Sequence, residues 1–388
     1  MKTTIGKYAF IEEELASRVP RHHLRTLRTI SPLSDAEVSV DGKTMLNFSS
    51  NDYLGLSKHP ALQQRAIEFM ERYGAGSTAS RLICGTYDCF DQVENKLAAL
   101  KGTEAALILN SGFQANVSLL PALTDRHSLI LSDRLNHRSL VEGTLLSRCR
   151  VIRFRHNDLD HLRQLLQENQ IGRYSRTLII TESVFSVDGD RSDIDALVQL
   201  SEEFQALLVV DEAHATGVLG ERGMGLTCGK NVDLTIGTFG KALGSFGSYV
   251  TCSEPMRDYF INRCSGFIYT TALPPSVIGS IDAALDLIPS MEEERTELHR
   301  KADFLRSSLQ TMGWSTGTSD SQIIPVIVGN EKETLELSKW LEQHGILAIA
   351  IRPPTVENGQ SRIRLALSSL HTQEHIEFLI DTFRKWQR

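Results

Sequence analysis

The stretch VDLTIGTFGKALGSFGSYVTC, Val232 to Cys252, decides the fold. It reads as two short β-branched runs, Val232–Gly237 and Ser248–Cys252, joined by a loop of small residues that holds one lysine, Lys241. A lysine on a polar helix face is ordinary and solvated, but this amine follows directly on a strand. Gly240, Gly244 and Gly247 leave room beside it for a bulky group to approach. The ordinary alternative is a glycine-rich loop with an exposed lysine, and the rest of the chain has to decide between them.

Working outward, AALILN (105–110), SLIL (128–131), VIRF (151–154), TLIITE (177–182) and ALLVVDE (206–212) are further runs of the same kind. With the two above they predict seven strands. Helix-length stretches separate several of them: Leu140–Cys149, His161–Asn169 and Ile194–Gln205. Strands alternating with helices predict an α/β domain with a mostly parallel seven-stranded sheet, whose ligands gather beyond the carboxyl ends of the strands. From about residue 290 the pattern changes to a charged helix (EEERTELHRKADFLRSSLQ), the strand-like IIPVIVG, another helix and RIRLALS. This predicts a smaller C-terminal α+β domain. The expected division is an N-terminal segment 1–50, a large domain 51–289 and a small domain 290–388.

The 388 residues are 41% hydrophobic and 23% charged, with a formal net charge of -7, as in an ordinary globular chain. No block of Lys/Arg offers an electrostatic footprint for nucleic acid. No apolar run approaches the roughly 20 residues that span a bilayer. The amino terminus MKTTIGKYAFIEEELASR turns acidic where a signal peptide needs its apolar segment, so a cytoplasmic location is expected. Six cysteines form no CxxC pair, and neither a disulfide framework nor a metal site is expected. The tetrad DEAH (211–214) invites a nucleotide-dependent helicase reading, but the chain contains no GxxxxGK[ST] loop to hold ATP.

The strand ends carry the chemistry. VVDEAHATG places Asp211 and His214 after one run, SGFQAN places Gly112 and Phe113 after another, and TESVFSVDGD places Ser186 after a third. Asp211 is either the cap of the next turn or a chemical group, and His214 is equally well a structural histidine. His137 reads as a flat ring that could cover a cofactor, or as an N-cap-region residue near Ser139. One chemistry joins these parts, that of pyridoxal 5'-phosphate (PLP). It needs a lysine for the aldehyde, a carboxylate to keep the ring nitrogen protonated, and backbone N–H groups and hydroxyls for the phosphate. Lys241, Asp211, the turn Ser111-Gly112-Phe113 and Thr238 are of the right types.

Ordered motifs along nearly the whole chain carry a resemblance. They include NFSSNDYLGLSKHP (47–60), GAGSTASRLICG (74–85), SGFQAN, LNHRSL, HND (156–158), TESVFSVDGD, VVDEAHATGVLGERG, TFGKALGS, YTTALPPS (269–276) and IAIRPPTV (349–356). Together they resemble the α-oxoamine synthases, fold-type I PLP enzymes that condense an amino acid with an acyl thioester and release carbon dioxide. The resemblance is strongest to the biotin-pathway branch, which uses L-alanine and a pimeloyl thioester carried on coenzyme A or a carrier protein. Sister branches take glycine or serine. GAGSTASRLICG departs from the GSGGSG-like form of some biotin-pathway members.

The resemblance implies that Lys241 binds the cofactor aldehyde, Asp211 the ring nitrogen, and His137 the ring face. His214 and Ser186 would contact the phenolic oxygen and its surroundings, Gly112 and Phe113 would offer backbone donors, and Thr238 would hold the phosphate. It implies a homodimer in which Thr270 or Thr271 of the YTT segment reaches across to the neighbouring site. Arg25, Asn51, His137, Thr355 and Arg364 match substrate-side positions, with Arg364 as the clamp for the amino-acid carboxylate.

Overall fold

A computed structural model describes residues 6–20, 22–34, 36–169 and 172–386. The first five residues of the N-terminal segment lie outside the described residues. All seven expected strands form: β1 Ala105–Leu109, β2 Leu129–Asp133, β3 Arg150–Phe154, β4 Thr177–Glu182, β5 Leu207–Asp211, β6 Leu234–Thr238 and β7 Ser248–Cys252. They make one sheet in the order β1-β7-β6-β5-β4-β2-β3. β7 runs antiparallel to both of its neighbours, and every other pair is parallel.

Apart from edge strand β3, whose Arg150 and Arg153 are exposed, these strands are buried along nearly their whole length because both faces of the sheet are covered. Side chains alternate across the pleat, so Ile130, Ile180, Val209 and Ile236 enter one core with Leu119 and Leu120 of helix α1, Gly112–Leu123. Leu129, Leu131, Ile179, Leu208 and Val210 enter the other. There they meet Leu162 and Leu165 of α3 (Leu159–Glu168) and Leu197 of α4 (Ile194–Glu203), two helices that follow α2, Arg138–Leu146. Each such side chain contributes about 1.5–3 kcal/mol relative to exposure. By the same alternation, Glu182, Asp211 and Thr238 end their strands on the α1 face.

Helix α2 starts two residues before the expected Leu140, because His137 caps it and accepts the Ser139 N–H at 3.2 Å. It ends before the expected Cys149, where Arg148 takes a φ of 53°. Helix α3 likewise starts early, at Leu159, because Asp158 accepts the His161 N–H at 2.8 Å.

The chain divides into two units. The larger contains residues 51–186 and 190–297, and the smaller contains the chain up to Ser50, 187–189 and 298–388. Residues up to Ser50 therefore belong with the C-terminal residues, and the reason is sheet pairing: Ile346–Leu347 pairs in parallel with Lys43–Asn47. That strand closes a four-stranded sheet whose other members are Ile30–Pro32 and Glu37–Val40. A second sheet of this unit is antiparallel, with Ser361–Ala366 between Ile323–Gly329 and Ile349–Ile351.

Candidate active site

The strand ends of the larger unit converge on a cavity of about 210 Å³. Gly112, Phe113, His137, Asp211, His214, Thr238 and Lys241, all expected from the sequence, line it. Asn116, Ser139, Glu182 and Ala213 complete its wall.

Asp211, the last residue of β5, is 7% exposed. Its Oδ1 accepts the Ala213 N–H at 2.9 Å, and its Oδ2 accepts from Asn116 Nδ2 at 2.8 Å. The turn-capping and chemical readings of this carboxylate are thus compatible: one oxygen caps, while the other is held at the cavity wall by a donor. The two readings of His137 are also compatible, since the ring that caps α2 lines the cavity. Its pKa is lowered by desolvation of the ring, against an opposing contribution from Asp211 and with a further lowering by Lys241.

Lys241 is held by a chain of side chains. Its Nζ lies 2.7 Å from His214 Nε2, and His214 Nδ1 lies 2.7 Å from Tyr53 Oη. Tyr53 donates onward to Asn51 Oδ1 at 3.0 Å. Because the tyrosine hydrogen goes to Asn51, the hydroxyl receives the His214 Nδ1 hydrogen, which leaves Nε2 as the acceptor for the lysine amine. The arrangement aims Nζ into the cavity wall.

Glu182 ends β4 in register with Asp211 on β5 and is 3% exposed. Its Oε1 accepts the His137 N–H. Burial, followed by the neighbouring Asp211 charge, pushes its carboxyl well above the usual carboxylate range. Asp211 receives the hydrogen-bond donors, while burial favours the protonated form of Glu182.

The residues present fit PLP. The Gly112 and Phe113 N–H groups, at the start of twelve-residue α1, have no partner among the described residues. Ser111 Oγ already caps Gln114 N at 3.2 Å, so these first N–H groups form an anion-binding end. Thr238 Oγ1 accepts the Gly240 N–H at 3.1 Å and donates to Gly247 O at 2.9 Å, so the hydroxyl is fixed at the cavity. A lysine amine, a buried carboxylate and this anion-binding end are the donor set the cofactor requires.

The glycines of the lysine loop have a different reason from the one expected. Only Gly240 is open, with its closest neighbour 3.6 Å from an added Cβ. Gly244 has φ +63° and a Cβ there would lie 2.4 Å from Leu56 C, while Gly247 has φ +101° and a Cβ would lie 2.8 Å from Leu273 Cδ1. Left-handed backbone and close packing require those two, not space beside the amine. Nearby, Gly217 (φ +96°) lies against Ala242, whose Cβ would be 2.4 Å from a Cβ added at 217.

Other expected residues lie elsewhere. Asn51 reaches the site through Tyr53, as described. Ser186 follows the end of β4 but is not in the cavity lining. Thr270 Oγ1 accepts from Gln114 Nε2 at 2.9 Å, and Thr271 O accepts from Asn110 Nδ2 at 2.8 Å. Arg25, Thr355 and Arg364 belong to the smaller unit. Within it Arg25 Nη2 donates to Thr355 Oγ1 at 3.1 Å, and Arg364 pairs across the sheet with Pro325 and Ile349.

Sequence reasoning missed Tyr53, Asn116, Ser139 and Glu182 as site residues. Each falls inside a motif that carries the resemblance: NDYLG, SGFQAN, LNHRSL and TESVFS. Tyr53, Asn116 and Glu182 meet their site partners through contacts between distant segments, which local spacing does not reveal, whereas Ser139 meets His137 two residues away.

Known proteins resemble the chain over nearly its whole length. The family model described as aminotransferase class I and II matches residues 43–383. A protein of Desulfosudis oleivorans, provisionally named an 8-amino-7-oxononanoate synthase, is 59% identical over 384 residues, covering 99% of this chain and 100% of its own. The 8-amino-7-oxononanoate synthase of Gluconacetobacter diazotrophicus is 52% identical over 371 residues, covering 93% of this chain and 92% of its own. A solved structure of SPT with PLP as an internal aldimine superposes with a TM-score of 0.90 at 25% identity, covering 98% of this chain and 97% of that one. With a seven-stranded sheet whose strand ends bring Lys241, Asp211, His137 and His214 to one cavity, this chain belongs to the class I and II aminotransferase family, in its branch of PLP-dependent α-oxoamine synthases.

Proposed function

We propose that the chain is a PLP-dependent acyltransferase that condenses L-alanine with a pimeloyl thioester, giving 8-amino-7-oxononanoate, carbon dioxide and the free thiol of coenzyme A or a carrier protein. The observation that carries the reading is identity of 52% or more, over nearly the whole chain, to proteins named for this product. The cavity residues are of the types the reaction needs. The reading includes a cytoplasmic homodimer, with Thr270 or Thr271 completing the neighbour's site.

When bound, PLP supplies an aldehyde that condenses with an amine and a ring that accepts the electron pair left at Cα. The chain's own residues do the rest. Lys241 Nζ anchors the cofactor and serves as the base for the Cα proton, oriented by His214. Asp211 holds a negative charge toward the ring nitrogen. His137 covers the ring and faces the substrate, and the N–H groups of Gly112 and Phe113 with Thr238 take the phosphate. Ser186 contacts the cofactor near His214. On the substrate side Arg364 pairs with the amino-acid carboxylate, and Arg25, Asn51 and Thr355 contribute further contacts.

Similarity to SPT favours a second reading, a sister synthase that takes serine or glycine, but at 25% identity against 52% or more it is the weaker one. The test offers alanine, glycine and serine against short, pimeloyl and long acyl thioesters, with products identified by mass. Alanine with the pimeloyl thioester should give the dominant product. A dominant product from glycine or serine would replace the proposal with the sister activity.

A further inference from the structure

We propose that Asn116 is a positioning residue whose single amide group fixes both the ring tautomer of His137 and the orientation of the Asp211 carboxylate. Asn116 lies on α1, one turn beyond Gly112, and is 1% exposed. Its Nδ2 donates to Asp211 Oδ2 at 2.8 Å and to Ser139 Oγ at 2.9 Å. Both amide hydrogens are thereby committed. A flipped amide would set oxygen against the carboxylate, so the contact itself orients the group.

The second branch continues to the ring. Ser139 Oγ, having accepted from Asn116, lies 2.7 Å from His137 Nδ1, which also receives the Ser139 N–H at 3.2 Å. Two hydrogens directed at Nδ1 leave it an acceptor, and the ring hydrogen resides on Nε2. The ring covering the cavity is therefore neutral, with Nε2–H as its donor. One amide on α1 thus holds the group expected at the ring nitrogen and, through Ser139, the group expected over the ring face. Neither Asn116 nor Ser139 needs to touch substrate for this.

The inference rests on the cofactor reading, and the two fail differently. The test compares the unaltered chain with Asn116→Asp, which keeps the side-chain shape but replaces the donor by an oxygen, and Ser139→Ala, which removes the hydroxyl between Asn116 and His137, keeps the Asn116–Asp211 bond and leaves only the backbone N–H of residue 139 on Nδ1. Titration of each apoprotein with PLP gives its dissociation constant. NMR of histidine-¹⁵N-labelled apoprotein, with His137 assigned by its loss in His137→Gln, gives the tautomer without cofactor or turnover. Asn116→Asp should weaken PLP binding about 10-fold or more, the scale of a lost hydrogen bond to a charged group. Ser139→Ala should leave PLP affinity within about 3-fold, below the scale of one such bond, while its His137 signal moves away from the pure Nε2–H form. Equal weakening by both variants would reduce the contacts to a structural role and overturn the proposal. So would a mixed His137 tautomer in the unaltered chain, a result available even if Asn116→Asp does not fold. If the unaltered chain binds no PLP, the cofactor reading fails instead, and the tautomer measurement still decides this one.

Discussion

Replacing Lys101 by methionine removes a charge from the interior of the larger unit and leaves its partner behind. Lys101 is 1% exposed and Glu212, next to Asp211, is 0% exposed, with Nζ and Oε2 2.8 Å apart. Burial opposes the charged ammonium, but Glu212 and Tyr249 more than offset it and keep the lysine ionised. Glu212 also accepts from Thr227 N and Thr227 Oγ1, each at 2.8 Å. Lys101 donates a further bond to Thr216 Oγ1 at 3.2 Å. Methionine keeps the aliphatic stem and so isolates the charge. An uncompensated buried carboxylate costs about 3–5 kcal/mol, and in a chain of this length roughly 2 °C accompanies each kcal/mol, giving a fall of about 6–10 °C. Removing both charges in Lys101→Met/Glu212→Gln should restore stability to within about 2 kcal/mol of the parent, because the unpaired charge is gone. Urea unfolding and thermal melting of the apoproteins measure both. A loss below about 1 kcal/mol in the single variant, or no recovery in the double, would refute the argument.

Four other expectations can be checked alongside. Asp211→Asn should still bind PLP yet lose at least about 100-fold in turnover, since a neutral amide cannot hold the ring nitrogen protonated; near-normal turnover would remove Asp211 from that role. Lys241→Ala should lose the borohydride-fixed pyridoxyl group on the TFGKALGS peptide, and its turnover should fall by more than about 10⁴-fold because anchor and base disappear together; peptide mapping that finds the label on another lysine would displace it. Arg364→Ala should raise KM for the amino acid far more than KM for the thioester, and equal effects would indicate a structural arginine. His156 lies 3.0 Å from Asp133 Oδ1 and 2.7 Å from Asp190 Oδ2, and despite desolvation these partners raise its pKa from 6.5 to about 9. Its folded pKa is raised, so its stabilisation is fully present below pH 6.5 and is lost as pH rises through about 9, a change on the order of 3 kcal/mol. His156→Gln should flatten that part of the stability profile, and an unchanged slope would exclude His156 as its source.

The sheet was legible because strands covered on both faces are rich in apolar and β-branched residues, and each of the seven announces itself within five or six residues, edge strand β3 with its exposed Arg150 and Arg153 included. The cavity-lining residues were legible for a related reason: in such a sheet chemistry collects where the runs stop, which marks Asp211, Thr238 and Lys241. Tyr53 was not legible, because a tyrosine in NDYLG reads as core, and its hydroxyl acquires meaning only beside His214, 161 positions away. Glu182 looked like a strand-ending polar residue, and its raised pKa comes first from burial and then from Asp211 on the adjacent strand, a pairing that sequence spacing does not state. The place of residues up to Ser50 was obscured in the same way, by a parallel pairing between strands some 300 residues apart.

The contact between Gly217 and Ala242 has a consequence for anyone who would move this chemistry to another scaffold. The turn that carries His214 and the loop that carries Lys241 meet with no room for another carbon, so each is packed against the other. The transplantable module is the pair, from DEAHATG through TFGKALGS with the strand between them. A host that accepted the lysine loop alone, or enlarged either residue, would receive an amine without the imidazole that aims it.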